Sequence, residues 1–329
     1  MPTSSTSLVH ADQLKVTSSP HMRTQDSTRR IMLDVIIALL PAVVASVVLF
    51  RWQAVGVLCV SVLASVAAEA ISQKLMGRPI SISDLSAVVT GLLLAFNVPA
   101  GFPLWKTAVG SIFAIVIVKQ LFGGIGSNFM NPALAGRAFL LAQWGKDMTA
   151  TVQPFQPDVL SGPTPLALAK SATAAPGAMP SLMDLFLGNV PGMLGEVSAL
   201  ALLIGALYLL IRGVIQLRIP LAYLGSFVVF IAIFGGLKGT VGFSDIPYQL
   251  FSGGLMLGAF FMATDYASTP VTAKGQLLFG LGAGFLTALI RVYGGYPEGV
   301  SYAILLMNVC TPILDQFIRN RTFGRVNHE

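Results

Sequence analysis

Ten apolar runs, near residues 31–50, 54–74, 83–98, 105–121, 131–144, 197–212, 219–237, 248–264, 275–292 and 300–318, make up most of this chain and leave it few ways to fold. A bilayer core about 30 Å thick is crossed by roughly 20 helical residues at about 1.5 Å each, and most of the runs reach that length. None alternates as a membrane β-strand must. Only 10% of the residues are charged, against about 25% in soluble domains. These features predict an all-α polytopic membrane protein with about ten transmembrane helices. The third and fifth runs are short and are bordered by Pro99 and by Gly123-Gly124 with Asn131-Pro132, which predicts half-helices or re-entrant pieces there.

Charge sets the orientation. With the amino terminus inside, 14 of the 20 Lys and Arg residues fall near cytoplasmic ends and six outside: Arg51, Lys106, Lys146, Lys170, Lys238 and Arg291. Both termini are then expected in the cytoplasm. Residues 1–30, rich in Ser, Thr and Gln and without the apolar core of a signal peptide, read as a polar cytoplasmic arm, and 319–329 as a cytoplasmic tail. Between two five-helix units, 31–144 and 195–318, lies an extracytoplasmic loop, 145–194. The net charge of +6 is scattered along helix ends instead of forming a stripe, so nucleic acid is not an expected partner, whereas membrane lipid is. Cys59 and Cys310 lie in apolar runs without CxxC spacing, and the three histidines lie near the termini. Disulfide, iron–sulfur, zinc and haem chemistry are therefore not expected.

The two units echo each other. "GLLLAFNVP" at 91–99 resembles "GLMLGAFFM" at 254–262, and "LFGGIGSNFMNPAL" at 121–134 resembles "VYGGYPEGVSYAIL" at 292–305, with offsets of 163 and 171 residues. Five spans separate equivalent elements, so the second unit is expected upside down relative to the first, an arrangement that builds sites from broken helices near the midplane. Chance likeness among Gly-rich apolar segments is the alternative.

The loop carries Asp158-Val159-Leu160-Ser161-Gly162-Pro163-Thr164, a D-x-x-S-G-x-T pattern in which Gly162 removes bulk and Pro163 and Pro165 hold an extended chain around an accessible threonine. It resembles the motif on which a flavin transferase joins FMN, through its phosphate, to a threonine hydroxyl. In order along the chain, "SAVVTGLLLAFNVP", "KQLFGGIGSNFMNPALAGRAFL", "SGPTPLALAK", "FFMATDYASTPVTAKGQ" and "IRVYGGYPEGVSYAILLMN" are similar to the family that contains the D subunit of Rnf-type ion-translocating ferredoxin:NAD oxidoreductases and the B subunit of sodium-pumping NADH:quinone reductases. The likeness covers residues 30 to 324, and the short amino-terminal arm favours the D-type branch. Pro163 stands where the family more often has alanine.

The resemblance implies a urea-transporter-like fold of two inverted five-helix repeats in a bacterial cytoplasmic membrane. It further implies FMN covalently held on Thr164, with Asp158, Ser161 and Gly162 forming the attachment motif, and riboflavin bound non-covalently within this type of subunit. The implied partners are the A, B, C, E and G subunits of the Rnf complex, the flavin transferase, and Na+ or H+ as the ion moved. A flavin-free inverted-repeat transporter or channel, or a scaffold without cofactor, is the competing reading.

Charges within the runs are costly, about 2.5 to 3.5 kcal/mol each at a helix centre. Arg137, on the expected half-helix after Asn131-Pro132, reads as an ion-pair former or as a neighbour of a cofactor. Asp265, in "MATDYASTP", and Asp34 are candidates for an ion pathway. Asp265 and Asn97 together would make polar ground at the seam between repeats, suited to the second flavin or to a cation. Glu69, Asp84 and Asp315 read as side chains reaching headgroups or water at helix ends. "SLMDLFLGNVPG" at 181–192 reads as a surface segment folded over the flavin, and Met256, Met262, Phe260 and Phe261 as packing.

Overall fold

The structure, a computed structural model, describes residues 27–160, 164–170, 179–196, 198–239, 241–242 and 245–318, the side chains of 157–160 excepted. Most of the amino-terminal arm, the carboxy-terminal tail, Ser161, Gly162 and the Asp158 side chain lie outside that set.

Helix α1, Thr28–Leu75, is capped by the Ser27 hydroxyl. Its 48 residues would extend about 72 Å if straight, more than twice a bilayer core. Arg51, at φ 53 and ψ −134, breaks it into two limbs, which supply the first two expected spans. α2, Ser86–Phe96, has 11 residues and α4, Pro132–Gln143, has 12, so each crosses about half the core. These are the predicted half-helices. Between them, α3, Leu104–Ile112, continues as a π-helix over Phe113–Gln120.

The segment expected to form the extracytoplasmic loop holds α5, Gly145–Thr149, a hairpin of β1, Val152–Gln153, with β2, Gln156–Leu160, then α6, Pro165–Lys170, and α7, Leu182–Leu187. The second unit contains α8, Ala199–Ile211, and α9, Arg218–Lys238. The expected span 248–264 is not one helix. It divides into α10, Ile246–Phe251, and α11, Leu255–Leu257, which continues as a π-helix over Gly258–Met262; the break falls at Gly253, whose φ is +69. α12, Ala273–Tyr293, and α13, Val300–Phe317, complete the chain. Among the described residues, four helices, α1, α9, α12 and α13, are long and apolar enough to cross a membrane.

Small residues and hydroxyls let these helices approach, as they must where lipid removes the hydrophobic drive for association. Gly280 and Gly284 of α12 face the α9 backbone at Tyr223, and Tyr223 shares a 2.8 Å hydrogen bond with Thr287. Ser61 on the second limb of α1 donates to the Gly91 carbonyl of α2 at 2.7 Å and meets Ser111 of α3 at 3.0 Å. Leu33, Leu40, Val44 and Val48 lie exposed along the first limb of α1, a face suited to lipid or a partner helix.

At Gly205 of α8 a Cβ would overlap the Ala38 carbonyl oxygen, a backbone atom that cannot swing aside. Gly205→Ala is expected to cost about 1–3 kcal/mol, read as a lower unfolding temperature in detergent. Gly225→Ala, whose Cβ meets nothing within 4 Å, should unfold close to the wild type.

Candidate functional site

Thr164 stands immediately before α6 and acts as its N-cap: its Oγ1 accepts from the Ala167 amide at 3.3 Å and its carbonyl from Leu168 at 2.9 Å. Pro165 occupies the first helical position, where its missing amide is no loss. Thr164 lines a cavity of about 20 Å³ with Leu185, Pro191, Phe251, Glu196 and Glu298. α7 covers it, held by a capping box between Ser181 and Asp184, by buried Leu185 and by an edge-on contact of Phe186 with Phe251 at 5.6 Å. Leu185, Val190, Pro191 and Gly192 of the segment 181–192 thus line this cavity. A space of that size admits a water molecule or two.

Beneath the cavity sits a buried charge cluster assembled from four places. Arg137 comes from α4, whose start is fixed by the Asn131 side chain accepting from Ala133 and Leu134. Glu196 comes from a segment tied to the end of α2, with the Gly195 amide on the Phe96 carbonyl at 2.9 Å and Leu194 on Val98 at 3.1 Å. Glu298 precedes Gly299, which enters α13 at φ 73, and Arg291 comes from α12. Arg137 donates to Asn97 Oδ1 at 3.2 Å, to Ser301 Oγ at 2.7 Å and to Glu298, and its Nη2 lies 3.4 Å from Glu196 Oε1. Arg291 spends its donors on carbonyls: Glu298 at 3.1 Å, Ser252 at 3.1 Å and Gln249 at 2.5 Å. Arg137 thus makes ion pairs and also borders the Thr164 cavity through Glu196 and Glu298.

An adjoining cavity of about 60 Å³ is lined by Lys170, Lys238 and Arg291. Lys170 donates to the Tyr296 carbonyl at 3.0 Å and to that of Gly294, and Lys238 to Val292 at 2.7 Å. Burial, and then Lys238, push the Lys170 ammonium below its usual range. A nearby anion would relieve both causes.

The other end of the molecule holds a larger cavity, about 110 Å³, between Ile31, Met32 and Val35 at the start of α1, Ser86, Thr90, Lys119, Asn128, Asn131, and Thr264 and Asp265. Ser46 and Leu49, which bond Leu194 and Phe155 beside the first site, lie 11 to 18 residues further along α1, so the two sites are about 20 Å apart along that helix. Asp265 Oδ2 accepts from Ser268 at 3.0 Å and Oδ1 from the Ala267 amide at 3.4 Å. Asn97 does not join Asp265: its amide nitrogen closes on the Leu93 carbonyl at 2.6 Å and its oxygen on Arg137, which places it in the first cluster. Asp34 accepts from Tyr208 at 2.8 Å and from Arg212 at 3.1 Å, tying α1 to α8.

Glu69 does not reach for headgroups. It is 1% exposed and pairs with Lys119 at 2.7 Å, while Lys119 also donates to Ser86 at 2.6 Å. A carboxylate this deep in apolar packing needs a cation, and the π-helical continuation of α3 brings one. Asp84 accepts from the Ser86 amide at 2.8 Å at the start of α2, and Asp315 from the exposed Val271 amide at 3.1 Å. Glu196, Glu298 and Arg291 were not legible as site residues: each lies outside the middle of an apolar run, where a charge raises no alarm. The one available signal was that "GYPEGV" places its acid beside a glycine turn within the repeated segment.

Broken helices, buried ion pairs and cavities towards both ends of the bundle define a multi-pass membrane protein built around internal sites. The chain belongs to the NQR2, RnfD, RnfE family, which it matches over residues 15–324. It is 54% identical over 313 residues, covering 94% of this chain and 95% of the relative, to the D subunit of the Na(+)-translocating ferredoxin:NAD(+) oxidoreductase complex of Acetobacterium woodii. It is 41% identical over 319 residues, 94% of this chain and 96% of the relative, to the proton-translocating counterpart of Clostridium ljungdahlii. It shares 34% identity over 343 residues, 94% of this chain and 96% of the relative, with the D subunit of the ion-translocating oxidoreductase complex of Halorhodospira halophila.

Proposed function

We propose that this chain is the D-type membrane subunit of an ion-translocating ferredoxin:NAD oxidoreductase complex, carrying FMN as a phosphoester on Thr164 and serving as an electron relay coupled to Na+ or H+ movement. The observation that carries this reading is the Thr164 alcohol, set as an N-cap at the mouth of a cavity floored by charge. FMN, when bound, supplies reversible electron transfer. The chain's own residues supply the tether and its surroundings: Lys170, Lys238 and Arg291 suit the negative charge of a phosphodiester, and the α7 cover keeps the ring on the outer side of the attachment. The larger cavity, of about 110 Å³ with apolar walls and a rim of Ser86, Thr90, Asn128 and Asn131, would take only part of the riboflavin that belongs to this reading. The A, B, C, E and G subunits of the complex are the partners, and a flavin transferase installs the FMN.

The test is direct. The purified chain, run on a denaturing gel, should fluoresce as a flavin and carry the mass of an FMN phosphoester. A dark band of unmodified mass sinks this reading in favour of a flavin-free transporter or a scaffold.

The fold belonging to this reading is a pair of inverted five-helix repeats in a bacterial inner membrane. Its support is the shared order of elements: two helices, a short broken one, a full helix and a last one, in α1 to α4 and again in α8 to α13. Both termini are cytoplasmic and Thr164 is outside. Ser72, 5% exposed, is a poor topology reporter because burial alone would protect it. In a chain freed of Cys59 and Cys310, Ala150→Cys should react with an impermeant thiol reagent added outside cells and Lys74→Cys should not; both positions are exposed. Reversed labelling sinks the orientation.

Asp265 is proposed to act in ion movement with Thr264 and Asn128 beside it in the cavity. Asp265→Asn should retain the Ser268 contact and the covalent flavin but lower ion uptake into vesicles by about tenfold at matched electron flux, the effect of some 1.4 kcal/mol. Unchanged uptake leaves Asp265 a turn-capping residue only.

A further inference from the structure

Lys170 ends α6, Lys238 ends α9 and Arg291 lies in the last turn of α12, so three helix ends bring three cations to one cavity of about 60 Å³. No acid lines that cavity, and among the described residues none of the three cations forms an ion pair. The neighbouring sequence offers none either: residues 159–183, 197–244 and 266–297 contain neither Asp nor Glu. Glu196 and Glu298, in the adjacent cluster, are matched in number by Arg137 and Arg291, which leaves Lys170 and Lys238 over. Both lysines bond to carbonyls, which orient an ammonium but carry no net charge. Of the three N–H groups on each, two on Lys170 and one on Lys238 are so engaged, and the rest are free to meet an anion. A phosphodiester on Thr164 carries a single negative charge and would answer only one of the two lysines.

The place of the cavity says what the anion is. α9 and α12, of 21 residues each, are long and apolar enough to cross a membrane, so these ends lie where hydrocarbon meets water. Tyr293, 53% exposed, has the Lys238 ammonium over its ring at 5.5 Å, an arrangement suited to headgroup depth. Phe230, Phe234 and Lys238 follow one another at four-residue steps and so share a face of α9. Phe234 meets Tyr293 edge-on at 5.8 Å, and Phe230 meets Phe285 of α12 edge-on at 4.9 Å. Cations at the boundary thus stand above a half-buried aromatic flank that continues into the membrane.

We propose that Lys170 and Lys238, backed by the field of Arg291, hold the headgroup phosphate of an anionic phospholipid at this end of α9 and α12, with an acyl chain along the Phe230–Phe234 face. The inference goes beyond the flavin reading and does not depend on it. Phosphate chemistry alone fits a free ion or the flavin tether too, but neither uses the aromatic flank. A zwitterionic headgroup would bring its own ammonium to a site already positive. A cavity of about 60 Å³ is several times the roughly 10–15 Å³ that a water needs, which leaves room for a phosphate group. The lipid would join α6, α9 and α12 through charge and so brace the helix that Thr164 caps.

Titration of the purified full chain in detergent with dioleoyl phosphatidylglycerol tests this, read as the rise in unfolding temperature that a ligand of the folded state produces. The midpoint of the rise should move to about fivefold higher lipid in Lys170→Met and again in Lys238→Met. Lys146→Met, which removes an exposed cation of α5, should leave it in place. No rise, an equal rise with dioleoyl phosphatidylcholine or with inorganic phosphate, or an equal shift in Lys146→Met overturns the site. Those results mean, in order, no ligand, apolar contact alone, a free anion and diffuse surface charge. Should a lysine variant fail to accumulate, phosphatidylglycerol against phosphatidylcholine and phosphate in the unmutated chain decides. Thr164→Asn separates the tether: an unchanged midpoint supports the lipid, whereas a response seen only in Thr164→Asn gives the cations to the flavin phosphate and overturns it. A dark wild-type gel ends the flavin reading and leaves the titration to decide this one.

Discussion

Thr164→Val should abolish the covalent flavin altogether, so that neither gel fluorescence nor an FMN mass adduct remains. Valine keeps the β-branched shape and removes the one atom a phosphoester needs. It also removes a helix cap, because Thr164 Oγ1 accepts from Ala167 at 3.3 Å, and losing such a cap costs about 0.5–2 kcal/mol. A second variant separates the two effects. Thr164→Asn offers a capping oxygen but no alcohol, so α6 should hold while the flavin is again lost; Thr164→Ser offers both and should keep partial modification. Fluorescence persisting in Thr164→Asn would place the tether elsewhere.

The breaks in this fold were legible where chain chemistry enforces them. Pro99 follows the end of α2 and Asn131-Pro132 opens α4 as N-cap and first helical residue, so the 11- and 12-residue half-helices fall where those residues are, whereas Pro41 and Pro312 lie within α1 and α13. The break at Gly253 was not legible, since glycines are common inside membrane helices and only its φ of +69 and the approach of Leu166 to it show that glycine is needed there. Charges divided the same way. Arg137 could be suspected because it sits inside an apolar run, whereas its partners Glu196 and Glu298 lie 59 and 161 residues away in short polar connections. Asn97 and Asp265 looked like one polar patch because both follow broken helices. Side-chain direction, fixed by the Arg137 and Leu93 contacts of Asn97, puts them in separate sites.

Arg137→Met should be the most damaging single change in the transmembrane region. The guanidinium joins four elements: its own helix α4, the end of α2 through Asn97, the Glu196 segment before α8, and the Glu298–Ser301 entry to α13. Methionine fills comparable volume, so the loss is one of charge and hydrogen bonds with little cavity formation. Removing one partner of a buried ion pair costs about 3–5 kcal/mol because the remaining charge is stranded, and here two carboxyls would depend on Arg291, whose donors are committed to carbonyls. The expected result is a chain that accumulates poorly in the membrane, unfolds at a markedly lower temperature in detergent and fails to join its complex. Adding Glu298→Gln to Arg137→Met should recover part of the loss, since it removes a stranded charge while keeping hydrogen-bonding capacity. That non-additivity is the diagnostic: residues coupled in one network depart from the sum of single effects by about 0.5–3 kcal/mol. Additive effects of the two substitutions, or wild-type stability in Arg137→Met alone, would mean that the cluster does not hold the half-helices together.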